Sequence, residues 1–301
     1  MPLPTPVRAV ETDDPAEVLG FALESLALGG VALATLVEIR GGAARALGSH
    51  VAVAADGRFC GYVSGGCVET ALATEALLAL AEGCDRIVKF GDGSPFFDIV
   101  LPCGGGITVA IHLLREGSAL RHVLGSLDER ECSGLAYSLE RQTLAAVEAG
   151  DRPSWIGGEF ITVYRPRTRV VVSGQGIEAT VVSSLAHASG FEVVAAPHAN
   201  IPDVVRMIDA FTAVVLLHHD VDAEDSFLRP ALASEAFYIG ALGSNNTHRR
   251  RVHRLMAVGI GRAVVARIKA PIGLFGPTKD SNSLALSILA DIAGARLAAF
   301  N

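Results

Sequence analysis

Two thiols set in glycine turns carry the clearest chemistry in this chain. The first turn reads Gly61-Tyr62-Val63-Ser64-Gly65-Gly66-Cys67-Val68-Glu69, and the second Leu101-Pro102-Cys103-Gly104-Gly105-Gly106. Glycines lack a Cβ, so their backbone N–H groups can converge on a ligand, and a cysteine in such a turn can become a thiolate that binds metal or accepts sulfur. The two turns therefore point to an anionic ligand with an affinity for sulfur, with Cys67 and Cys103 as candidate metal-binding or persulfide thiolates. The alternative is a small buried hydrophobe at each position. Cys60, Cys84 and Cys132 have no glycine frame and read as core or passive surface thiols.

The second half carries a different set of chemical groups. Gly174-Gln175-Gly176-Ile177-Glu178-Ala179 follows the β-branched run Arg169-Val170-Val171-Val172-Ser173, which is the strand, glycine turn, helix order of a mononucleotide-binding half with Ala179 at the third glycine position. The acid that holds a ribose at the end of the next strand is absent, and Pro197-His198 stands there, so NAD(P) is expected to bind weakly. His218-His219-Asp220 ends an apolar strand; neighbouring strand side chains face opposite ways, so a ligand-facing role for His219 is favoured over a shared metal site. Gly243-Ser244, at another strand end, offers an anion cradle, while Arg249-Arg250-Arg251 beyond it is either part of that cradle or the solvated start of a helix. Lys279 is a weaker candidate for a phosphate contact.

These groups need rigid elements to hold them. Asp13-Asp14-Pro15 opens a helix over Pro15 to Leu28, with Asp14 as its cap. Strands follow over Val31 to Ile39 and His50 to Ala54, with turns at Gly41-Gly42 and Asp56-Gly57-Arg58. Glu69 to Glu82 is a helix, which places Cys67 just before its N-terminus, where free N–H groups and the dipole favour an anion. Ile87 to Phe90, Ile99 to Leu101 and Ile107 to Leu114 read as strands on either side of a turn-rich loop and the second thiol. Leu120 to Tyr164 reads as irregular hairpins and a short helix, and Pro166 marks a boundary between residues 1–166 and 167–301. Beyond it, strands and helices alternate: helix to Ser189, strand Phe191 to Ala196, strand Ala213 to Leu217, helix Asp225 to Ala233, strand Ala236 to Gly240, and helices Thr247 to Val258 and Asn282 to Ala298. That alternation dictates an α/β fold with a parallel sheet.

Composition narrows the function classes. The 301 residues are 50% hydrophobic with 6% aromatic, enough for an Ala/Val/Leu-rich core, and the net charge of -7 lacks the clustered basic face that nucleic acid requires. Five cysteines without CxxC spacing argue against a disulfide framework or zinc ribbon. The start, Met1-Pro2-Leu3-Pro4, has neither basic nor apolar leader character, and no run reaches the ~18 uncharged apolar residues of a membrane span, so the expectation is a cytoplasmic protein.

The Ser64-Gly65-Gly66-Cys67-Val68-Glu69 segment, the Cys103-Gly104-Gly105 turn, Tyr238-Ile239-Gly240-Ala241-Leu242-Gly243-Ser244 and Ala270-Pro271-Ile272-Gly273-Leu274, in this order, resemble the XdhC/CoxI family from about Leu19 to Ala293. The resemblance implies an N-terminal α+β domain of XdhC/CoxI type followed by a Rossmann-like domain. It implies an accessory chaperone for a xanthine dehydrogenase- or carbon monoxide dehydrogenase-type molybdenum hydroxylase rather than an enzyme. Its ligand would be the molybdenum cofactor, as molybdopterin or its cytosine dinucleotide form, protected while the sulfido ligand is installed. Partners would be a cysteine desulfurase and the apo form of the hydroxylase, with the chain itself a homodimer. Cofactor-binding residues would be Ser64, Gly65, Gly66, Cys67, Glu69, Cys103, Gly104, Gly105, Gly174, Gly176, His219, Gly243 and Ser244, with the cofactor's phosphate in an interdomain crevice near the last strand ends. A nicotinamide- or flavin-dependent oxidoreductase resting on Gly174-Gln175-Gly176, and a pure scaffold binding neither ligand, are the competing readings.

Overall fold

In the computed structural model, which describes residues 3–94, 104–196, 201–218 and 221–300, the chain separates into two compact units, Met1–Pro166 and Arg167–Asn301. The first is built on a six-stranded sheet of β1 (Val7–Val10), β2 (Val31–Arg40), β3 (His50–Ala54), β4 (Arg58–Gly61), β5 (Arg86–Gly91) and β6 (Gly106–Leu114), in the order β1-β4-β3-β2-β6-β5. β3 and β6 are buried along their whole length, as strands covered on both faces must be. One face carries α2 (Glu69–Glu82), whose Leu72, Ala73, Ala76 and Leu77 pack on Val51, Phe90 and Val109. The other carries α1 (Pro15–Leu26) and α3 (Ser118–Asp128). Asp14 caps α1, accepting a hydrogen bond from the Ala16 N–H at 2.9 Å.

The segment from Leu120 to Tyr164 departs from the sequence expectation. It forms the rest of α3 and a regular antiparallel sheet, β8 (Thr143–Val147), β7 (Ser133–Ser138), β10 (Glu159–Tyr164) and β9 (Ser154–Ile156), in that order. β7 is Ser-Gly-Leu-Ala-Tyr-Ser and wholly buried, so it shows no alternation, and its small residues carry little strand propensity. This sheet docks through Leu135, Tyr137, Phe160 and Tyr164 on the face that holds α1 and α3. Two buried polar clusters fasten it. His50 Nε2 lies 2.5 Å from the Tyr164 hydroxyl, with Thr35 Oγ1 3.0 Å from Nδ1. Asp85 takes His112 Nδ1 at 2.7 Å, the Tyr137 hydroxyl at 3.1 Å and the Leu113 N–H at 2.9 Å. Burial pushes the Asp85 carboxyl up, but these donors outweigh it and hold it below the usual range.

The second unit is a five-stranded parallel sheet, β12 (Glu192–Ala196), β11 (Arg169–Gly174), β13 (Thr212–Leu217), β14 (Tyr238–Ala241) and β15 (Ile268–Lys269), in that order. α4 (Ile177–Ala188) and α9 (Ser281–Phe300) cover one face; α5 (Ile201–Arg206), α6 (Val221–Ala233), α7 (Asn245–Ala257) and α8 (Arg262–Val265) belong to the other. This is the three-layer, doubly wound arrangement expected of alternating strands and helices. No run of ~18 uncharged apolar residues occurs, since Asp291 and Arg296 interrupt α9, although α9 is long and apolar enough to cross a membrane by length and composition. It is also a core helix of this unit, burying Ala285, Ile288, Leu289 and Ile292 against α4 and the sheet.

Candidate functional site

Strand direction decides where the thiol turn lies in the first unit. β1 is parallel to β4, and β4, β2 and β5 run together because each is antiparallel to the strand between them. Four strands therefore end at one edge of the sheet, and β6 begins there. The Ser64–Cys67 turn leaves that edge from β4, and Gly104-Gly105 enters β6 beside the end of β2, where Arg40 pairs with Gly106.

The loop after β2 ties the two turns together. A Cβ at Gly65 would sit 3.6 Å from the Ala44 Cβ, and one at Gly41 would sit 3.4 Å from the Gly105 Cα. Gly105 has no room at all, since a Cβ there would come within 2.5 Å of both the Arg40 and Gly42 carbonyl oxygens. The Arg40 guanidinium holds this edge: it donates to Glu38 and Thr108 at 2.7 Å each and to the Asp92 carbonyl at 3.0 and 3.2 Å. The Thr108 hydroxyl and Arg40 in turn hold the Glu38 carboxyl below its usual range.

Cys67 is exposed on this turn, two positions before α2 begins. Gly66 has φ +103, a backbone conformation that favours glycine, and open space where a Cβ would be. Glu69 behaves otherwise. Its side chain turns inward, 1% exposed, and collects the turn's own donors: Oε1 accepts from the Val63 N–H at 3.2 Å, the Ser64 N–H at 2.8 Å and the Ser64 hydroxyl at 2.9 Å, while Oε2 accepts from the same hydroxyl at 2.9 Å and the Val68 N–H at 3.2 Å. Ser64 is likewise buried in that clamp. Thus Gly65, Gly66 and Cys67 face outward, whereas Ser64 and Glu69 shape the turn from beneath.

Sequence reasoning missed the aromatic and basic groups beside the turn. The Arg8 guanidinium lies 4.1 Å from the Tyr62 ring centre and donates to the Gly61 carbonyl at 3.0 Å; Arg45 lies 5.2 Å from the same ring and 3.3 Å from Asp13. No motif signals this, because the partners come from three separate chain segments. The other described thiols differ in exposure, with Cys132 exposed and Cys84 half-buried. Cys60 is fully buried, which pushes its thiol up to about 12, and burial also raises that of Cys132. Cys103 lies outside the described residues, as do His219, Asp220 and the Pro197-His198 pair. Among the described residues no group of three or more His, Cys, Asp or Glu side chains is placed to hold a metal ion.

In the second unit the remaining candidates all lie at the carboxyl edge of the parallel sheet. Gly174 ends β11 with φ +147, and its missing Cβ lets β11 close on β13, since one would meet the Leu217 carbonyl at 2.8 Å. Gly176 begins α4 with φ +96. The order 2-1-3-4-5 of the strands puts the switch point between β11 and β13, where α/β sheets bind ligands. At that point Ser173 Oγ and His218 Nε2 are 2.8 Å apart. The Glu178 carboxylate, however, reaches back over the glycine turn, 3.4 Å from where a Gly176 Cβ would be. Ser244 caps α7, its hydroxyl accepting from the Thr247 N–H at 3.2 Å. Of the arginine run, Arg249 and Arg250 are exposed, while Arg251 is buried in a bidentate pair with Glu224 at 2.5 and 2.7 Å and donates to the Leu242 carbonyl at 2.9 Å. Arg251 is therefore a brace between α6 and α7 rather than a solvated side chain.

Comparison with known proteins agrees with the fold of the chain. The XdhC Rossmann domain matches residues 170–292, and the XdhC and CoxI family matches residues 27–91. The chain is 44% identical over 298 residues to the molybdenum cofactor insertion chaperone PaoD of Escherichia coli (strain K12), covering 97% of this chain and 92% of that protein. It is 24% identical over 310 residues to a protein of Bacillus subtilis (strain 168) described as a probable xanthine dehydrogenase subunit, covering 86% and 91% of the two. The crystal structure of a xanthine dehydrogenase from Bacillus halodurans shares the fold, with a TM-score of 0.73 at 20% identity over 94% of this chain and 96% of that one.

Proposed function

The chain belongs to the XdhC and CoxI family, and from that premise we propose that it is an accessory chaperone that binds the molybdenum cofactor and delivers it to a molybdenum enzyme. The observation that carries this reading is the exposed Cys67 thiol on a glycine turn at the sheet edge that also holds Gly104 and Gly105. The cofactor is cargo here. Its molybdenum is a soft-ligand acceptor when carried by dithiolene and sulfido sulfur, and a thiolate is the protein donor suited to it. Cys67 supplies that donor, Gly65 and Gly66 leave room for the ligand to approach the backbone, and Ser64 with Glu69 fixes the turn. Cys103 is proposed as the second thiol.

Sulfur handling follows from the same thiol. The Cys67 thiolate attacks the outer sulfur of a cysteine desulfurase persulfide, a new S–S bond forms at Cys67, the donor S–S bond breaks, and the desulfurase leaves as its thiolate. The client is proposed to be the apo form of a xanthine dehydrogenase- or carbon monoxide dehydrogenase-type hydroxylase, met in the cytoplasm by a homodimer of this chain. The Gly174, Gly176, Gly243 and Ser244 strand ends and His219 are proposed to contact the cofactor's phosphate or nucleotide part.

Protein made in a molybdenum-replete host, denatured and assayed for oxidised-pterin fluorescence, is expected to release pterin at about one per chain, and equilibrium dialysis with released cofactor should reproduce that ratio. Retention no greater than that of serum albumin would defeat the reading.

A further inference from the structure

We propose that Glu69 determines which ligands the Cys67 turn accepts: its buried carboxylate fills the anion seat of the turn, so that soft ligands reach the thiol and free oxyanions are turned away. The inference rests on the cofactor reading above and assigns Glu69 as a positioning residue, not a ligand contact.

A glycine turn opening onto a helix start is ordinarily a seat for phosphate, because several N–H groups converge there with nothing to accept them. Here the N–H groups of Val63, Ser64 and Val68 and the Ser64 hydroxyl already converge on Glu69, within 2.8–3.2 Å. All of these donors are backbone or hydroxyl groups, and both carboxylate oxygens accept from them, which is the pattern of an ionised carboxylate. Glu69 is also the first residue of α2, where the dipole favours its charge. The seat is thus occupied by a covalently attached anion.

The outer side of the turn is formed by Gly65, Gly66 and Cys67, all exposed. Gly66 faces open space and Cys67 is exposed, so a ligand meets the thiol first. An oxyanion arriving there would find the buried negative charge beneath it, poorly screened by water, within a chain whose net charge is already -7. Phosphate, sulfate and molybdate share this penalty. A ligand that bonds to sulfur offsets it with the metal–thiolate bond.

The test uses the full chain, inorganic phosphate as the probe and the rate of Cys67 alkylation by iodoacetamide, read by peptide mass spectrometry. In the parent, phosphate should leave that rate unchanged. In Glu69→Ala the freed N–H groups should bind phosphate and slow alkylation of Cys67 by about tenfold, with Cys132 as the internal control; in the isosteric Glu69→Gln, whose amide oxygen still accepts from the Val63 and Ser64 N–H groups, the slowing should be smaller. Melting curves report whether each variant is folded. Protection of Cys67 by phosphate in the parent overturns the proposal without any variant, and so does a folded Glu69→Ala variant in which phosphate changes nothing. Because no cofactor enters this experiment, its failure leaves the chaperone reading standing, whereas failure of the parent to retain pterin removes that reading alone.

Discussion

Cys60 and Cys67 flank the same turn, and water separates their chemistry. Cys60 faces the core beside Val18 and Ala52, where ionisation is opposed, while Cys67 stands in solvent. Brief iodoacetamide treatment of the folded protein should therefore label Cys67 and spare Cys60, and bound cofactor should protect Cys67. Cys67→Ser is expected to lower cofactor retention about tenfold, roughly 1.4 kcal/mol, with the melting temperature nearly unchanged because an exposed side chain adds little to the core; retention equal to the parent's would remove Cys67 from the site. His50 makes a second prediction. Burial pushes its imidazole down to about 4 from an unfolded value near 6.5, so it stays neutral in the fold while the unfolded chain takes up a proton. Its contribution is present above pH 6.5 and is lost as pH falls towards 4, on the order of 3 kcal/mol. Urea denaturation across that range should show the loss, and His50→Gln should flatten it. The contrast between Cys60 and Cys67 is legible from their glycine neighbours alone. The inward turn of Glu69 and the burial of Arg251 are not, since the donors that capture one and the Glu224 that pairs with the other are known only once helices and loops meet.

Among the elements, the glycine turns make opposite demands on their neighbours. Gly105→Ala forces a Cβ onto two carbonyl oxygens and should cost about 2–3 kcal/mol, whereas Gly104→Ala, with open space and φ +66, should cost about 1 kcal/mol; equal losses on chemical denaturation would contradict the packing at the β2–β6 edge. The Rossmann-type turn of the second unit carries Glu178 where a pyrophosphate would lie, and NADH is expected to bind with a dissociation constant on the order of 0.1 mM or weaker, about 5 kcal/mol. Micromolar binding by calorimetry would favour the oxidoreductase alternative. Periodicity reveals the long elements well, with Glu69–Glu82 and His50–Ala54 read to the residue. It fails for β7 and for short edge pieces such as β1 and β15, where small or few side chains leave no pattern and the neighbouring strands make the decision.

The two units of the molecule carry separate sheets, two in the first and one in the second, and their own cores. Residues 167–301 expressed alone should give a cooperative thermal transition, and the acid lability assigned to His50 should be absent from it; a fragment without cooperative melting would show that the parallel sheet needs the first unit. The acidic net charge of -7 belongs to the same scale, because it leaves recognition of the anionic cargo proposed above to local groups rather than to a long-range field. The strand order of the first sheet also sets a timetable. β6 lies between β2 and β5, yet it is the last of the six strands to leave the ribosome, so β5 has no neighbour and the edge around Cys67 no far wall until Leu114 has been made. The face opposite α2 waits longer, because α3 and the strands that carry Leu135, Tyr137, Phe160 and Tyr164 must still be made before the sheet is covered on both sides.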